Sequence, residues 1–310
     1  MISKDNIIKI LREEKGLSQE ELAGDICSVS NLSKIENGTQ IPSASTYRAL
    51  LESMGEDPEK YSLTMSKREK EAADLEYNIM DYMDEKDYSN AVKALDKLEE
   101  IKKLSSESKK FIKYARLSIK SDRDFISCEE TISEIKEILG KKLENFKNKN
   151  VSRVLLTKAD IQLLNFLACS YFDFGNAEEG IRILKKLKEY IEVSVADKRG
   201  FALMYTVIAY NLSKHLALNA RLEEAIDVSE DGLKWCKKYE RHASIDGLLI
   251  NKGLCLLDLG KNKEEAKELL KLSYLTSKFL GEYDTCKRLV DHLKSKGVET
   301  DFLVSIWIMA

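Results

Sequence analysis

A group of small polar residues near the N-terminus has side chains suited to contacting DNA. Asn31 carries an amide that can pair with adenine, and Lys34 carries an ammonium group that can donate to guanine. Gln19 falls at a predicted helix start, where free backbone N–H groups favour a phosphate. The candidate base-contacting residues are Ser28, Val29, Ser30, Asn31 and Lys34.

Simpler roles remain open for three of these side chains. Ser28 and Ser30 could serve simply as helix caps, and Lys34 could be solvated or neutralise a phosphate without reading a base. Residues 1–65 also hold seven Lys and Arg against eleven Asp and Glu, although DNA-binding modules are usually basic. Many of these acids need not face a duplex. We therefore expect modest affinity per monomer, which dimerisation makes useful.

Three asparagines further along the chain occupy matching places in a repeated pattern. Asn165, Asn211 and Asn251 stand 15, 14 and 15 residues before a small residue that follows a Glu-Glu pair. Asparagine is a poor residue for a helix interior, and its amide can hold both the N–H and the C=O of an extended peptide. Alternatively, these amides satisfy buried backbone groups or bridge neighbouring helices.

Three nearby side chains are further candidates for contacting a peptide. Tyr171 and Tyr210 lie close to the asparagines in sequence, although burial in a core explains a tyrosine equally well. Lys214 could meet a peptide carboxylate or be a solvated lysine. The candidate peptide-binding set is therefore Asn165, Asn211, Asn251, Tyr171, Tyr210 and Lys214.

The elements that position the first group form a helix-turn-helix pattern. Ser18 and Glu21 predict a capping box that starts a short second helix, which ends around residues 25–27. A third helix runs to Asn37, where Gly38 ends it, and a further helix over residues 46–54 closes the core. Leu22, Leu32 and Ile35 are predicted core residues.

The elements that position the asparagines are helical hairpins. Both prolines of the chain lie at or before residue 58, and the rest is rich in Leu, Lys, Glu and Ala, so the fold class is all-α. Three aligned segments at 171–181, 216–226 and 257–267 each read as a helix end, a turn and a second helix. They predict a tetratricopeptide-like solenoid with a concave surface.

Further hairpins extend this pattern on both sides. One turn is visible at residues 87–91, and a weaker unit spans about 105–143. A terminal helix pair from Tyr283 onward is expected to cap the stack with Phe302, Ile306 and Trp307. We predict two domains, a helix-turn-helix domain at 1–65 and a repeat domain at 66–310.

Composition disfavours several classes of protein. The longest apolar run is far shorter than the roughly 20 residues of a membrane span, and we expect neither a signal peptide nor a membrane partner, hence a cytoplasmic location. Six cysteines and three histidines are scattered without zinc-ligand spacing, so no metal and no cofactor is expected. No catalytic residues are predicted, because phosphate-binding loops and nucleophile–base motifs are missing from the sequence.

The segment Leu17–Gly38, LSQEELAGDICSVSNLSKIENG, with Pro42 and Ser43 after it, resembles the phage-repressor-like (XRE) helix-turn-helix. Its Ile-Cys-Ser turn is similar to that of the PlcR and Rgg regulators of the RRNPP group. The segments at 160–168 and 210–214 resemble the ligand-facing helices of the same group. The resemblance implies that Asn165, Asn211 and Asn251 hold the backbone of a re-imported oligopeptide pheromone.

The resemblance also implies a function. The chain is expected to be a quorum-sensing regulator and not an enzyme, a homodimer that binds double-stranded operator DNA and is controlled by a short signalling peptide. One alternative is a repressor whose repeat domain docks a protein partner. Another is a phosphatase-like or phosphotransfer-blocking solenoid, against which the DNA-reading motif argues.

Overall fold

The computed structural model describes residues 4–56, 58–61, 67–242 and 244–304, and every regular element in these ranges is a helix. The predicted all-α fold class is therefore confirmed. Two compact units make up the chain, one formed by Met1–Asn176 with Glu189–Lys198 and the other by Ala177–Lys188 with Arg199–Ala310.

Four short helices begin the first unit and surround one apolar core. The predicted core residues Leu22, Leu32 and Ile35 are all buried in it. Ser18 and Glu21 form the predicted capping box, but the second helix ends at Ala23, earlier than expected, because the following glycine adopts a positive φ. The helices are α1 (Lys4–Glu14), α2 (Gln19–Ala23), α3 (Val29–Glu36) and α4 (Ala44–Ser53), with a 3-10 turn at Pro58–Tyr61.

The first repeats follow in the same unit. Asp87 caps the second helix of the first hairpin, which confirms the turn predicted at residues 87–91. Two further helices start with capping boxes, Ser127 with Glu130 and Thr157 with Asp160. The helices are α5 (Lys67–Asp84), α6 (Tyr88–Glu100), α7 (Ser106–Asp122), α8 (Cys128–Leu139), α9 (Lys141–Asn148) and α10 (Lys158–Asp173), with a 3-10 turn at Val151–Arg153 before α10.

The later repeats continue the helical hairpins, and each of the three aligned segments is a turn between two helices as predicted. In the second unit α12 packs on α13, α13 on α14, and α14 on α15. Gly253 allows α14 and α15 to pack closely, because a Cβ at this position would lie 2.7 Å from Cγ of Leu270. The helices are α11 (Ala177–Val193), α12 (Ala202–Leu218), α13 (Leu222–Tyr239), α14 (Ile245–Asp258), α15 (Lys263–Phe279) and α16 (Tyr283–Ser295).

The C-terminal end differs from the predicted helix pair. After α16, Gly297 adopts φ 69° and the chain forms only a 3-10 turn at Asp301–Leu303 in its last described residues. Phe302 does pack against the buried Leu270 and Leu293, as expected of a capping residue. Ile306 and Trp307 lie outside the described residues, as do residues 62–66, where the boundary at 65/66 was predicted.

Candidate nucleic-acid and peptide interfaces

The candidate DNA-reading helix α3 begins at a well-formed cap. The hydroxyl of Ser28 accepts a hydrogen bond from the backbone N–H of Asn31 at 3.1 Å. The capping role that the sequence left open for Ser28 is thus present in the structure. Capping leaves the serine at the exposed N-terminus of α3, which is the end of a recognition helix that enters the major groove.

The predicted contact residues lie in the exposed first turn of α3 and on its solvent side. Ser28, Val29, Ser30 and Lys34 are exposed, and Asn31 is partly exposed. The opposite face carries the buried core residues of the helix. This amphipathic arrangement presents small polar groups and one ammonium group to solvent, and such groups can reach the edges of bases.

Gln19 is less available than the sequence suggested. Its Nε2 donates a 2.7 Å hydrogen bond to Oε2 of Glu36, a buried carboxylate of α3. Arg12 of α1 binds the same carboxylate through Nε at 2.6 Å and Nη2 at 2.9 Å, and donates through Nη1 to the Leu17 carbonyl. The amide of Gln19 therefore joins α1, α2 and α3 internally, and a phosphate would have to share it.

Burial and charge act in opposite directions on the pKa of Glu36. Burial alone raises the pKa of this carboxyl, but the hydrogen bonds from Arg12 and Gln19 outweigh burial and hold the pKa below its usual range. Sequence reasoning did not identify this network. Its signal is a charged residue in a helix position that otherwise faces the core.

A second set of charges, also missed from the sequence, lies at the turn between α2 and α3. Nζ of Lys110 lies 2.6 Å from Asp25 and 2.7 Å from Asp160. Nζ of Lys142 lies 2.7 Å from Asp25 and 2.6 Å from Asp160. We call these four residues the Asp25 cluster. It joins the turn of the helix-turn-helix to α7, α9 and α10 of the same unit.

The Asp25 cluster is held in its charged form. Asp160 is fully buried, and although burial raises the pKa of its carboxyl, the two lysines lower it further than burial raises it. The same balance lowers the pKa of Asp25 to about 2. Asp160 also accepts hydrogen bonds from the backbone N–H and the hydroxyl of Thr157, so the cluster is anchored to the start of α10.

Two candidate peptide-binding residues lie on α10 in the first unit. Asn165 is partly exposed, as a ligand-contacting amide requires. Tyr171 is buried, and the ammonium group of Lys136 lies 5.4 Å from the centre of its ring. The structure therefore gives Tyr171 the packing role that the sequence left open.

The remaining candidates lie on α12 and α14 in the second unit. Asn211 and Tyr210 are partly exposed, and Lys214 is exposed. Asn251 is partly exposed, and its Nδ2 donates to Oγ of Ser213 at 2.7 Å and to the Tyr210 carbonyl at 3.3 Å. This amide bridges two neighbouring helices, which is the alternative that the sequence left open. Its N–H groups would have to exchange partners to hold a peptide.

No group of three or more His, Cys, Asp or Glu side chains among the described residues could hold a metal ion. None of the described helices has the length and apolarity needed to cross a bilayer. The six cysteines are all free thiols, three of them buried.

Comparison with known proteins identifies the N-terminal fold. Residues 8–61 match the family model described as helix-turn-helix, and these residues contain the capped α2–α3 pair. No curated protein matches this sequence.

Several solved structures share the fold over nearly the whole chain. PlcR of Bacillus thuringiensis, solved with the peptide PapR7 and DNA, superposes with a TM-score of 0.63 at 19% identity over 93% of this chain and 98% of its own. ComR of S. thermophilus, solved with DNA and its signalling peptide ComS, gives 0.56 at 16% identity over 96% and 100%. The SHP pheromone receptor Rgg2 of Streptococcus dysgalactiae gives 0.50 at 16% identity over 94% and 99%. The chain therefore has an N-terminal helix-turn-helix followed by helical hairpins, and it shares this fold with these structures.

Proposed function

We propose that this chain is a cytoplasmic transcription regulator that binds double-stranded operator DNA through the exposed face of α3. One observation carries the proposal: the helix-turn-helix keeps its core residues on one side of α3 and its small polar residues on the solvent side. Two such helices in a homodimer would read two half-sites of a pseudo-palindrome. The residues proposed to contact DNA are Gln19, Ser28, Val29, Ser30, Asn31 and Lys34.

We further propose that a short oligopeptide controls DNA binding by binding to the repeat domain. Support comes from the fold shared with PlcR and ComR, which were solved with peptides and DNA, and from the partly exposed amides of Asn165 and Asn211. An amide that donates and accepts can hold a peptide backbone whatever the peptide sequence. Peptide binding would then shift the population of repeat conformations and so the freedom of the DNA-binding domains.

Selection of binding sites from a random duplex library tests the first proposal. The wild-type protein is expected to enrich a pseudo-palindrome, whereas Asn31→Ala and Lys34→Ala are expected to lose discrimination at individual base pairs, at about 1–3 kcal/mol for each lost contact. Glu14→Ala, an exposed change on α1, is the control. Enrichment of one sequence by wild type and both variants alike would contradict the assignment of α3.

A binding titration tests the second proposal. Purified wild type and the Asn165→Ala/Asn211→Ala double variant are compared against short peptides encoded beside the gene, with Asn148→Ala as the control. Binding that is lost only in the double variant supports a backbone clamp. A folded wild type that binds DNA but none of the peptides would favour the other candidate, a repressor whose repeats dock a protein partner.

A further inference from the structure

A strongly basic segment lies outside the helix-turn-helix but in the same compact unit. Residues 141–153, KKLENFKNKNVSR, form α9 and the 3-10 turn after it and hold five Lys and Arg against a single Glu. Lys141, Lys149 and Arg153 are exposed, whereas Lys142 is committed to the Asp25 cluster. The segment thus presents three cationic side chains to solvent.

The basic segment lies beside α2. A cleft of about 570 Å³ separates them, lined on one side by Glu20 and Glu21 and on the other by Lys141, Lys149 and Arg153. The backbone N–H of Ser18 lowers the pKa of the Glu21 carboxyl, and the charges of Lys149 and Arg153 lower it further. The cationic groups are therefore within electrostatic reach of the first turn of α2.

In a helix-turn-helix the helix before the recognition helix crosses the DNA backbone. Here that helix is α2, so its first turn is expected beside a DNA strand. A DNA strand that meets this turn would pass next to the basic segment. The carboxylate of Glu21 is exposed and accepts a hydrogen bond from the backbone N–H of Ser18 at 2.9 Å, so it stays in the capping box and the cationic side chains would meet the phosphates.

The charge of the helix-turn-helix favours such a contribution. Residues 1–65 carry four more acids than bases, whereas affinity for DNA depends mainly on neutralising phosphates. We infer that Lys141, Lys149 and Arg153 form a second DNA-contacting surface that binds the phosphate backbone flanking the half-site read by α3. This inference rests on the proposed DNA-binding function. It makes the first repeats part of the DNA interface, where they supply affinity without sequence discrimination.

The test measures how DNA affinity depends on salt for the full chain. The Lys141→Gln/Lys149→Gln/Arg153→Gln variant is compared with wild type on the selected operator and on a scrambled duplex between 50 and 200 mM salt, roughly the range over which such contacts are resolved. If all three residues contact phosphates, the magnitude of the slope of log K against log salt is expected to fall by about 2 to 3 for each bound protomer, and so by about 5 for a homodimer. The ratio of affinities for the two duplexes is expected to stay unchanged, because the lost contacts carry no sequence information.

A matched control removes the same charge from another exposed surface. Lys93→Gln/Lys97→Gln/Lys102→Gln neutralises three exposed lysines on and after α6 and is expected to keep the wild-type slope. A wild-type slope in the triple variant of the basic segment, or an equal fall in both variants, would overturn the inference while leaving DNA binding in place. Failure of wild type to bind any duplex would instead overturn the proposed function.

Discussion

At the scale of single residues, the acids of the helix-turn-helix have unequal roles. Glu36 is buried and holds three helices through Arg12 and Gln19, whereas Glu13, which also pairs with Arg12 at 3.6 Å, is exposed. The sequence shows both as ordinary acids on helices. Only the packing of α3 reveals that Glu36 faces the core, because a helical period of 3.6 residues leaves boundary positions undetermined.

We expect Glu36→Gln to destabilise the helix-turn-helix by about 3 kcal/mol, because the guanidinium group of Arg12 loses its buried partner. Thermal unfolding of the full chain, followed with hydrogen exchange of α1–α3 amides, measures this change. Glu13→Gln is the control and is expected to cost less than about 1 kcal/mol. Equal losses of unfolding free energy in the two variants would show that the buried pair stabilises the domain no more than the exposed pair does.

The same residue predicts a pH dependence. The folded-state pKa of Glu36 lies below its ordinary value of 4.5, so its contribution is complete above that value and is lost as pH falls through the folded-state pKa. Unfolding of wild type between pH 7 and pH 3 should therefore show an acid loss of stability that Glu36→Gln lacks. A variant that loses stability in parallel with wild type would assign the acid loss to other carboxyls.

At the scale of elements, the sequence predicted where helices lie better than it predicted the contacts between helices. The capping box of Ser18 and Glu21, the turn at residues 87–91 and the repeated Glu-Glu-small pattern predicted where helices begin. The matching places of the three asparagines were also visible in the sequence, but the sequence did not predict that the amide of Asn251 donates to α12. Such a bond joins residues 38 and 41 positions apart in the chain, and local periodicity carries no information about it.

Gly55, just after α4, shows an element-level contact that the sequence hides. It adopts φ 76°, and its carbonyl accepts hydrogen bonds from the N–H groups of Ala196 and Asp197 at 2.7 and 2.8 Å. A Cβ there would lie 2.7 Å from the Ser194 carbonyl oxygen. Gly55 therefore allows two segments of the first unit to meet.

We expect Gly55→Ala to destabilise the protein by more than the cost of its φ alone, because backbone atoms must also move apart. The matched control is Gly175→Ala, which has φ 86° with nothing near the added Cβ and should cost about 1–2 kcal/mol. Chemical denaturation of both variants gives the comparison. If the two free-energy losses were equal, the close approach at Ser194 would be relaxed at no cost.

At the scale of the whole molecule, the helix-turn-helix is integrated with the first repeats. The Asp25 cluster joins the turn before the DNA-reading helix to α7, α9 and α10, and Lys158 of α10 lies 3.1 Å from Glu52 of α4. Lys110 stands 85 residues from Asp25, so the tertiary fold alone brings them together. Removing one partner of a buried ion pair leaves an uncompensated charge, which makes this connection sensitive to single changes.

Asp160→Asn is therefore expected to lower the free energy of unfolding by about 3–5 kcal/mol, since Lys110 and Lys142 lose a fully buried partner. Asp96→Asn, which removes an exposed pair with Arg116, is the control and should cost less than about 1 kcal/mol.

Asp25→Asn is expected to cause a loss of unfolding free energy between the losses of Asp160→Asn and Asp96→Asn, and to speed hydrogen exchange at residues 24–27. Because the pKa of Asp25 is lowered from 3.8 to about 2, its contribution is complete above pH 3.8 and lost as pH falls toward 2. Unchanged hydrogen exchange at residues 24–27 in both Asp25→Asn and Asp160→Asn would mean that the Asp25 cluster does not hold the turn before α3 to the repeats.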